Sequence, residues 1–466
     1  MKHPFSRRRF LATAGVAASA TLIGQSLFDV DTVLAAPLVR RNVGGMDASD
    51  PILVSYRAAI KAMKALPTAD PRSWAYQAAI HGTTLSPPMT AWKTCEHGTY
   101  YFWSWHRMYL YWFERIIRKI SCDNCWALPY WDWSSPSERQ LPAMFRDTTS
   151  ELYTPNRNGA MNNGTGSLPA WAVNYGTAFG LVNFTSASSS LEGTPHGAVH
   201  VLVGGWMGSV PTAAQDPIFY LHHCNIDRLW NLWLAQGGGR SDPLGDATWR
   251  DRQFTFFDEN ANQVRMTGCE VLRAAQQLNY TYEGEPPQVN EYCLPILKLP
   301  PIFFEREVLV RLPIQPVFLT SEPVSFPLEL KELRQRLASI AESKTETLFL
   351  ELDDVEAERP PGVVWGVYVG LPTKAAPDPE SPYYVGNVAL FGSGIRGEAH
   401  GEFKPAHFAF AISRAIQASL KENQERLQVT FVPQGILIDG KPSRPKVESP
   451  VRVGRASLTV EKEKRQ

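Results

Sequence analysis

Histidine is concentrated in one stretch of this chain. Of its ten histidines, seven lie between residues 81 and 223, where they fall into two groups. The members of the two groups are His81, His97 and His106, and then His196, His200, His222 and His223. Imidazole groups without a carboxylate or thiolate at comparable spacing suit a borderline transition metal better than a hard cation. The two groups therefore predict two metal ions, held between helices.

The pair His196 and His200 admits another interpretation, because two histidines four residues apart also mark the zinc helix of metalloproteases. That helix needs a glutamate base directly after its first histidine, and this position is Gly197 here. A purely structural role is also disfavoured, since six of the histidines occur as close pairs or neighbours. A site for two transition metals therefore stays the preferred interpretation.

Apolar residues at helical spacing predict the elements that would position these side chains. We expect helices at about 52–64, 100–120 and 216–234, the last of them ended by three glycines. On a further helix, His196 and His200 would point to the same side. Residues 147–193 are rich in Ser, Thr, Asn and Gly and predict a long surface excursion. This half of the chain is expected to be a mainly α helix bundle.

The pattern changes in the second half of the chain. Nine prolines within 286–327 predict an extended connector. Later segments alternate with period two between Pro/Gly turns, which predicts a smaller β-sandwich domain. The expected organisation is a signal peptide at 1–35, a metal-binding domain at 36–285, a Pro-rich connector at 286–327 and a β-sandwich domain at 328–466.

The N-terminus predicts export. Three arginines at 7–9 form a twin-arginine pattern, and an uncharged run follows at 11–28, with a cleavage site expected at 33–35. The run is short and rich in Ala and Gly, so we expect no stable membrane span. The chain is expected to use the twin-arginine export machinery and to be periplasmic or extracellular.

Charge argues against a nucleic-acid partner, and cysteine content excludes little. Lys+Arg and Asp+Glu both number 46, so no net positive charge favours nucleic acid. The spacing of the cysteines does not fix the pairing of Cys122, Cys125, Cys224, Cys269 and Cys293. The single C-x-x-C at 122–125 is more consistent with a local disulfide or two free thiols than with a zinc site. The oligomeric state stays open.

Two longer motifs surround the histidines. The stretch 97–114, with Trp-His-Arg at 105–107, is similar to the first copper motif of tyrosinases and catechol oxidases. The stretch 216–227 matches their second copper motif, with Asp-Pro at its start and an aspartate four residues after His223. Over about residues 38–283 the chain therefore resembles type-3 copper polyphenol oxidases, with Trp103 as a mild departure. On weaker motifs, residues 345–450 resemble the C-terminal domain of plant-type members.

The resemblance implies a dinuclear copper site with dioxygen as co-substrate. The implied ligands of the first and second copper ion are His81, His97 and His106, and then His196, His200 and His223. His222 is then a neighbour that does not bind metal. Cys95 precedes His97 by two residues, as in fungal and molluscan members, where such a pair forms a thioether. Glu114 and Asp227 would accept an imidazole N–H or pair with Arg107.

The same resemblance implies a small phenolic substrate. In the family, monophenol oxidation is associated with a glutamate near the second site and an asparagine directly after its first histidine. Together they orient a water that takes the phenol proton. Glu192 resembles that glutamate, but the asparagine position is Gly197. Val210 stands where plant enzymes often carry phenylalanine, which predicts a wider entrance. We expect oxidation of o-diphenols to o-quinones with weak or no monophenol hydroxylation.

Three alternative activities stay open: a tyrosinase with full monophenolase activity, an o-aminophenol oxidase, and an oxygen carrier resembling molluscan haemocyanin. The length of the chain and its export signal argue against the oxygen carrier. By resemblance to plant-type relatives, the C-terminal domain is expected to cover the copper cleft, with the connector as the cleavage zone. The alternative is a domain that only stabilises its partner.

Overall fold

The computed structural model describes residues 36–285, 303–312, 314–328, 333–343, 345–373, 375–398, 403–422, 424 and 427–464. The predicted signal peptide, residues 286–302 of the predicted connector, and Cys293 lie outside the described residues. Helices dominate residues 36–285, called here the helical region, and strands dominate residues 303–464, called the C-terminal region. The predicted fold class, a mainly α domain followed by a smaller β-sandwich, is confirmed.

The helices of the helical region include the three long ones predicted from apolar spacing. In chain order the α-helices are α1 Pro51–Ala65, α2 Trp74–His81, α3 Phe102–Ser121, α4 Gly159–Asn163, α5 Gly176–Gly180, α6 Phe184–Leu191, α7 Ala198–Val203, α8 Val210–Ala213, α9 Ile218–Ala235, α10 Ala247–Asp251, α11 Ala274–Gln277, α12 Arg334–Glu342 and α13 Ser413–Lys421. The last two belong to the C-terminal region.

Helices α3 and α9 form the centre of the helical region. Every residue from Phe102 to Leu110 in α3 and from Ile218 to Asp227 in α9 is buried. A helix buried on all sides lies in the interior of a protein. The two helices pack through large aromatic side chains, and the rings of Trp103 and Trp230 stack at 5.9 Å between centroids. Both helices thus bring their histidines into the interior.

The strands form two principal sheets in the C-terminal region. In chain order the strands are β1 Leu38–Arg40, β2 Gly166–Ser167, β3 Gln253–Phe257, β4 Gln263–Thr267, β5 Tyr280–Tyr282, β6 Phe303–Leu312, β7 Val317–Leu319, β8 Val324–Leu328, β9 Glu346–Glu356, β10 Val364–Val369, β11 Tyr384–Val388, β12 Ala406–Ala411, β13 Leu427–Gln434, β14 Leu437–Ile438, β15 Lys441–Pro442 and β16 Val451–Lys464. One sheet has the order β11-β10-β13-β8 and the other the order β12-β9-β16-β6, with β7 beside β16.

The two sheets share one apolar core. Trp365 and Val367 of β10 are fully buried in it with Leu350 and Leu352 of β9. These residues alternate along their strands because successive side chains of a strand point to opposite faces. The other face of β10 is also buried, and Val364 belongs to the core of the helical region. Strand β10 is therefore enclosed on both faces.

Two predictions of chain organisation are corrected. The predicted Pro-rich connector includes residues 303–327, but β6 and β7 pair with β16, and β8 pairs with β13. Proline is tolerated there because Pro327 lies on β8, an edge strand of its sheet. The predicted surface excursion at 147–193 instead contains three short helices and buried residues such as Leu152 and Leu168.

The helical and C-terminal regions contact each other through strand pairing and polar side chains. Strand β14 pairs with β2, so that Leu437 lies opposite Ser167. Ser186 of α6 donates a hydrogen bond to Glu461 at 2.7 Å. Asn387 of β11 donates to the hydroxyl of Thr194 at 3.1 Å. Within the described part of the chain, no helix is both long and apolar enough to cross a bilayer.

Candidate metal centre

The fold brings the seven histidines of the sequence motifs together as two adjacent clusters. One cluster consists of His81, His97 and His106, and the other of His196, His200, His222 and His223. Within each cluster the potential ligand atoms all lie within 4.8 Å of one another. The clusters adjoin, because the rings of His106 and His223 stack at 4.5 Å between centroids. The two predicted metal positions are therefore neighbours.

His97 lies in the irregular segment between α2 and α3, and the other histidines are held by a secondary-structure element or its end. His81 is the last residue of α2, and His106 lies in the first half of α3. His196 lies in the helical turn at 192–197, His200 lies in α7, and His223 lies in α9. Groups carried on such elements keep a more precise geometry than groups on free loops.

Backbone carbonyl groups fix the orientation of four of these rings. The Nδ1–H groups of His81, His106, His196 and His200 donate to the carbonyls of Val210 at 3.2 Å, Phe102 at 2.8 Å, Glu192 at 3.0 Å and Met207 at 2.8 Å. A neutral imidazole whose Nδ1 carries the proton keeps its lone pair on Nε2. Histidines that bind metals usually donate their other ring nitrogen in this way. These four rings are thus prepared to bind metal through Nε2.

The electrostatics of the clusters favour neutral ligands. Burial lowers the pKa of His81 to about 3, and burial also lowers the pKa of His97 and His106 well below the ordinary value. The Nε2 atoms of His81, His97, His106 and His196 are buried and contact no protein donor or acceptor. Buried polar atoms without a partner are costly, and a cation would satisfy them. The residues present therefore fit a pair of copper ions.

One contact inside the second cluster also suits a shared cation. Nε2 of His200 and Nε2 of His223 are 3.1 Å apart. Since Nδ1 of His200 is a donor, its Nε2 must accept, so the proton between the two rings belongs to His223 when no metal is bound. A copper ion would take the place of that proton.

His222 differs from its neighbours in tautomer. The indole N–H of Trp133 donates to Nδ1 of His222 at 3.0 Å. The neutral His222 ring must then carry its proton on Nε2, so neither nitrogen offers a free lone pair. This geometry supports the prediction that His222 does not bind metal.

Cys95 is a half-buried free thiol. Its Sγ atom lies 3.4 Å from Nδ1 of His97. The two side chains are near enough for the thioether that the resemblance implies, which stays a prediction. Of the other cysteines, Cys122 and Cys125 are exposed free thiols, so the C-x-x-C is not a disulfide, and Cys269 is disulfide-bonded.

Glu192 and Gly197 lie beside the second cluster. Oε1 of Glu192 accepts the N–H of Gly98 at 2.7 Å, and burial raises the pKa of the Glu192 carboxyl to about 8. A Cβ atom on Gly197 would lie 3.3 Å from the carbonyl oxygen of Glu192 and 3.5 Å from Cβ of Ala389. A side chain at the position predicted to lack an asparagine would thus contact the backbone of Glu192 and the C-terminal region.

The C-terminal region reaches the histidines through residues 389–393, called here the covering loop. The ring of Phe391 stacks on His200 at 3.8 Å between centroids and 10° between planes. It also lies 5.4 Å from His196 and 5.6 Å from His97. A Cβ atom on Gly392 would lie only 2.4 Å from Cγ of His97, and the φ of Gly392 is +87°. Glycine is therefore the residue that this close approach allows.

The covering loop changes the interpretation of Val210. A valine there predicted a wider entrance to the first cluster. Val210 is instead almost fully buried, and its carbonyl is the acceptor for His81. Open access to the first cluster is not observed, because Phe391 lies 6.3 Å from His81. Sequence reasoning missed Phe391, since a lone phenylalanine in a β-region carries no signal of a metal site.

A buried ionic network joins α3 and α9 directly beside the histidines. Arg107 donates to Asp227 at 2.5 Å and to Asn231 at 2.6 Å, and Arg40 donates to Glu114 at 2.8 Å. Burial alone would raise the pKa of Asp227, but Arg107 and Arg40 hold it below its ordinary value. Of the two carboxylates predicted as possible partners of Arg107, Asp227 pairs with it in the structure, and Glu114 pairs with Arg40 instead.

Removal of Arg107 should strongly destabilise the fold. Arg107→Met leaves a buried carboxylate without one of its two cations, and breaking a buried pair typically costs about 3–5 kcal/mol. Arg115→Met is the matched control, since its pair with Glu259 is partly exposed and should contribute about 1 kcal/mol or less. Thermal unfolding of both variants measures the difference. Equal unfolding temperatures would show that the buried network is not a stabilising feature.

Comparison with known proteins matches most of the chain. Residues 71–185 and 177–236 match the common central domain of tyrosinase, and residues 244–291 match the polyphenol oxidase middle domain. Residues 315–461 match a domain of unknown function. The latent form of a chloroplastic polyphenol oxidase from Prunus armeniaca is 28% identical over 454 residues, which cover 86% of this chain and 74% of that protein. Tyrosinase HcTyr1 of a Hahella species is 36% identical over 52% of this chain and 62% of that protein.

Solved structures show the same fold. The structure of latent apple tyrosinase has a TM-score of 0.64 and 23% identity, and the match covers 91% of this chain and 97% of that chain. A latent aurone synthase, also a polyphenol oxidase, has a TM-score of 0.65 and 22% identity, with 96% and 92% coverage. The arrangement of a helical region with a following sheet-rich region is therefore shared with these proteins.

Proposed function

We propose that the chain, which is similar to tyrosinases and plant polyphenol oxidases, is an oxidoreductase that oxidises o-diphenols to o-quinones with dioxygen at two copper ions. The observation that carries the proposal is the convergence of three histidines in one cluster and four in the adjacent one, with buried Nε2 atoms that have no protein partner at His81, His97, His106 and His196. We propose His81, His97 and His106 for one ion and His196, His200 and His223 for the other. Bound copper would supply the two-electron chemistry of phenol oxidation.

The residues of the chain have separate tasks in this proposal. The carbonyls of Val210, Phe102, Glu192 and Met207 keep four imidazoles in the Nε2-binding tautomer. Glu192 is the only carboxyl group among the proposed site residues, and its raised pKa favours a group that holds a proton near neutral pH. Gly197 supplies no amide to orient a water beside Glu192, which favours diphenols over monophenols as substrates.

We also propose the chain's organisation around this activity. Residues 1–35 act as a twin-arginine signal that exports the folded, metal-loaded protein, and 36–285 form the copper domain. The C-terminal region keeps the enzyme latent, because Phe391 occupies the space next to His200 and His196 that a phenol ring would need. Cleavage within 286–302 would release this cover.

The test of the proposed function is the metal content and substrate range of the purified chain. Two copper ions per chain are expected, with dioxygen uptake on catechol that is much faster than on tyrosine. Matched assays with catechol and o-aminophenol separate the proposed activity from an o-aminophenol oxidase. Zinc in place of copper, or two coppers without catechol turnover even after cleavage within 286–302, would contradict the proposal, the latter by favouring an oxygen carrier.

Substrate preference should change with one residue. Gly197→Asn introduces an amide next to the backbone of Glu192 to help orient a water, so the ratio of monophenol to diphenol turnover should rise by about a hundredfold, the lower end of what positioned proton transfer contributes. Gly193→Asn is the control, since a Cβ at Gly193 meets nothing within 4 Å. The gain should vanish in Gly197→Asn combined with Glu192→Gln. An unchanged ratio in Gly197→Asn would instead favour a tyrosinase whose hydroxylation does not depend on this amide.

A further inference from the structure

The C-terminal region contacts the first histidine cluster at a second place, away from the covering loop. Glu398 ends a short helical turn that begins at Arg396. Its carboxylate accepts hydrogen bonds from the hydroxyl of Ser209 and from the N–H of Val210, the latter at 3.4 Å. Glu398 is half-buried there, and burial raises its pKa. A carboxylate placed on one specific backbone N–H restrains that backbone.

The restrained backbone is the one that orients a proposed copper ligand. The carbonyl of the same Val210 accepts the Nδ1–H of His81. The fit is close on both sides of the histidine, because a Cβ atom on Gly82 would lie 2.6 Å from that carbonyl oxygen. Glu398, Val210 and His81 therefore form a continuous chain of contacts between the C-terminal region and the first cluster.

We infer that Glu398 is a positioning residue for the first copper ion, acting on His81 through the Ser209–Val210 backbone. This inference rests on the proposed copper function. It gives the C-terminal region a task distinct from covering the site, since the region also holds one ligand in place. Groups that hydrogen-bond to the ligands of a metal typically contribute ten- to a hundredfold to its affinity.

The experiment measures the release of copper from the full chain into excess chelator and needs no turnover. In Glu398→Leu, which lacks both acceptors, one of the two copper equivalents should leave about tenfold faster, the lower end of the effect known for direct hydrogen-bond partners of a ligand, because Glu398 acts one contact further from His81. The second equivalent should leave at the rate of the unmodified chain. Glu398→Gln keeps a carbonyl acceptor and should restore part of the slow release.

A control separates positioning from a general loosening of the region. Glu358→Leu changes an exposed carboxylate that contacts Arg396 at 3.6 Å in the same segment, and it should release both equivalents slowly. If both equivalents leave faster in Glu398→Leu, the residue only keeps the cover closed, and the inference is wrong. It is also wrong if neither rate changes. A full chain that never holds two coppers would instead contradict the proposed function.

Discussion

Replacement of Phe391 by alanine should activate the full-length chain. The kcat/KM for catechol should rise by about tenfold to a hundredfold, while the activity of a chain already cleaved within 286–302 should not change. Burial of a phenylalanine side chain contributes roughly 1.5–3 kcal/mol. If the covering loop must move before a phenol binds, the loss of that contribution increases the population of the open form by this factor. Catechol-dependent dioxygen uptake of the uncleaved protein measures the effect.

The control for Phe391→Ala should remove a similar ring from the same region of the chain, outside the covering loop. Phe408 lies in the C-terminal region and stacks on Phe410, at 6.2 Å between centroids, rather than on a histidine. Phe408→Ala should leave the full chain as slow as before. If both variants are activated alike, the C-terminal region inhibits by its general stability rather than through one ring. If neither variant nor cleavage activates, the region is a stabilising domain and not a cover.

Replacement of a proposed ligand should have the largest effect of all. His106→Ala should retain one copper per chain instead of two and lose catechol oxidation by at least a hundredfold. Removing only a hydrogen-bond partner of a ligand typically costs up to about a hundredfold, so removing the ligand itself should cost at least as much. The reason is that His106 offers a buried Nε2 with no other partner. Metal analysis and dioxygen uptake on the same preparation check both parts of the prediction.

The histidine pair in α9 provides the matched comparison for this assignment. His223→Gln should lose one copper ion, whereas His222→Gln should retain both, because the N–H of Trp133 occupies Nδ1 of His222 and leaves its proton on Nε2. Loss of copper in both variants would show that His222 is a ligand as well. Loss in His222→Gln alone would reverse the assignment.

The parts of the site that the sequence predicts are those determined by local spacing. His106 in α3 and His223 in α9 lie on long helices whose apolar residues repeat at helical spacing, so both the helix and its buried side could be predicted. His196 and His200 were likewise predictable as a pair four residues apart. Local rules suffice here because the helix itself determines which side chains share a face.

The contacts that the sequence does not predict connect distant segments. Phe391 stacks on His200, and Glu398 contacts Val210, in both cases across nearly 190 residues. The pairing of β6 with β16 is of the same kind, and the high proline content of that segment favoured a connector instead. Local propensity gives no information on such contacts, because packing between segments that are far apart in the sequence decides them. The need for glycine at position 392 is evident only from the structure, which places His97 beside it.

The pairing of β14 with β2 has a consequence for how inhibition ends. In the proposed latent state, the C-terminal region would be an inhibitor tethered to its target, and a short tether maintains an effective concentration in the millimolar range. Two residue pairs in this ladder, polar contacts such as that of Ser186 with Glu461, and apolar residues such as Val364 in the core of the helical region hold the regions together besides the covering loop. Once the tether is cut, association becomes bimolecular and follows mass action. The cut enzyme should therefore become active on dilution and become inhibited again on concentration.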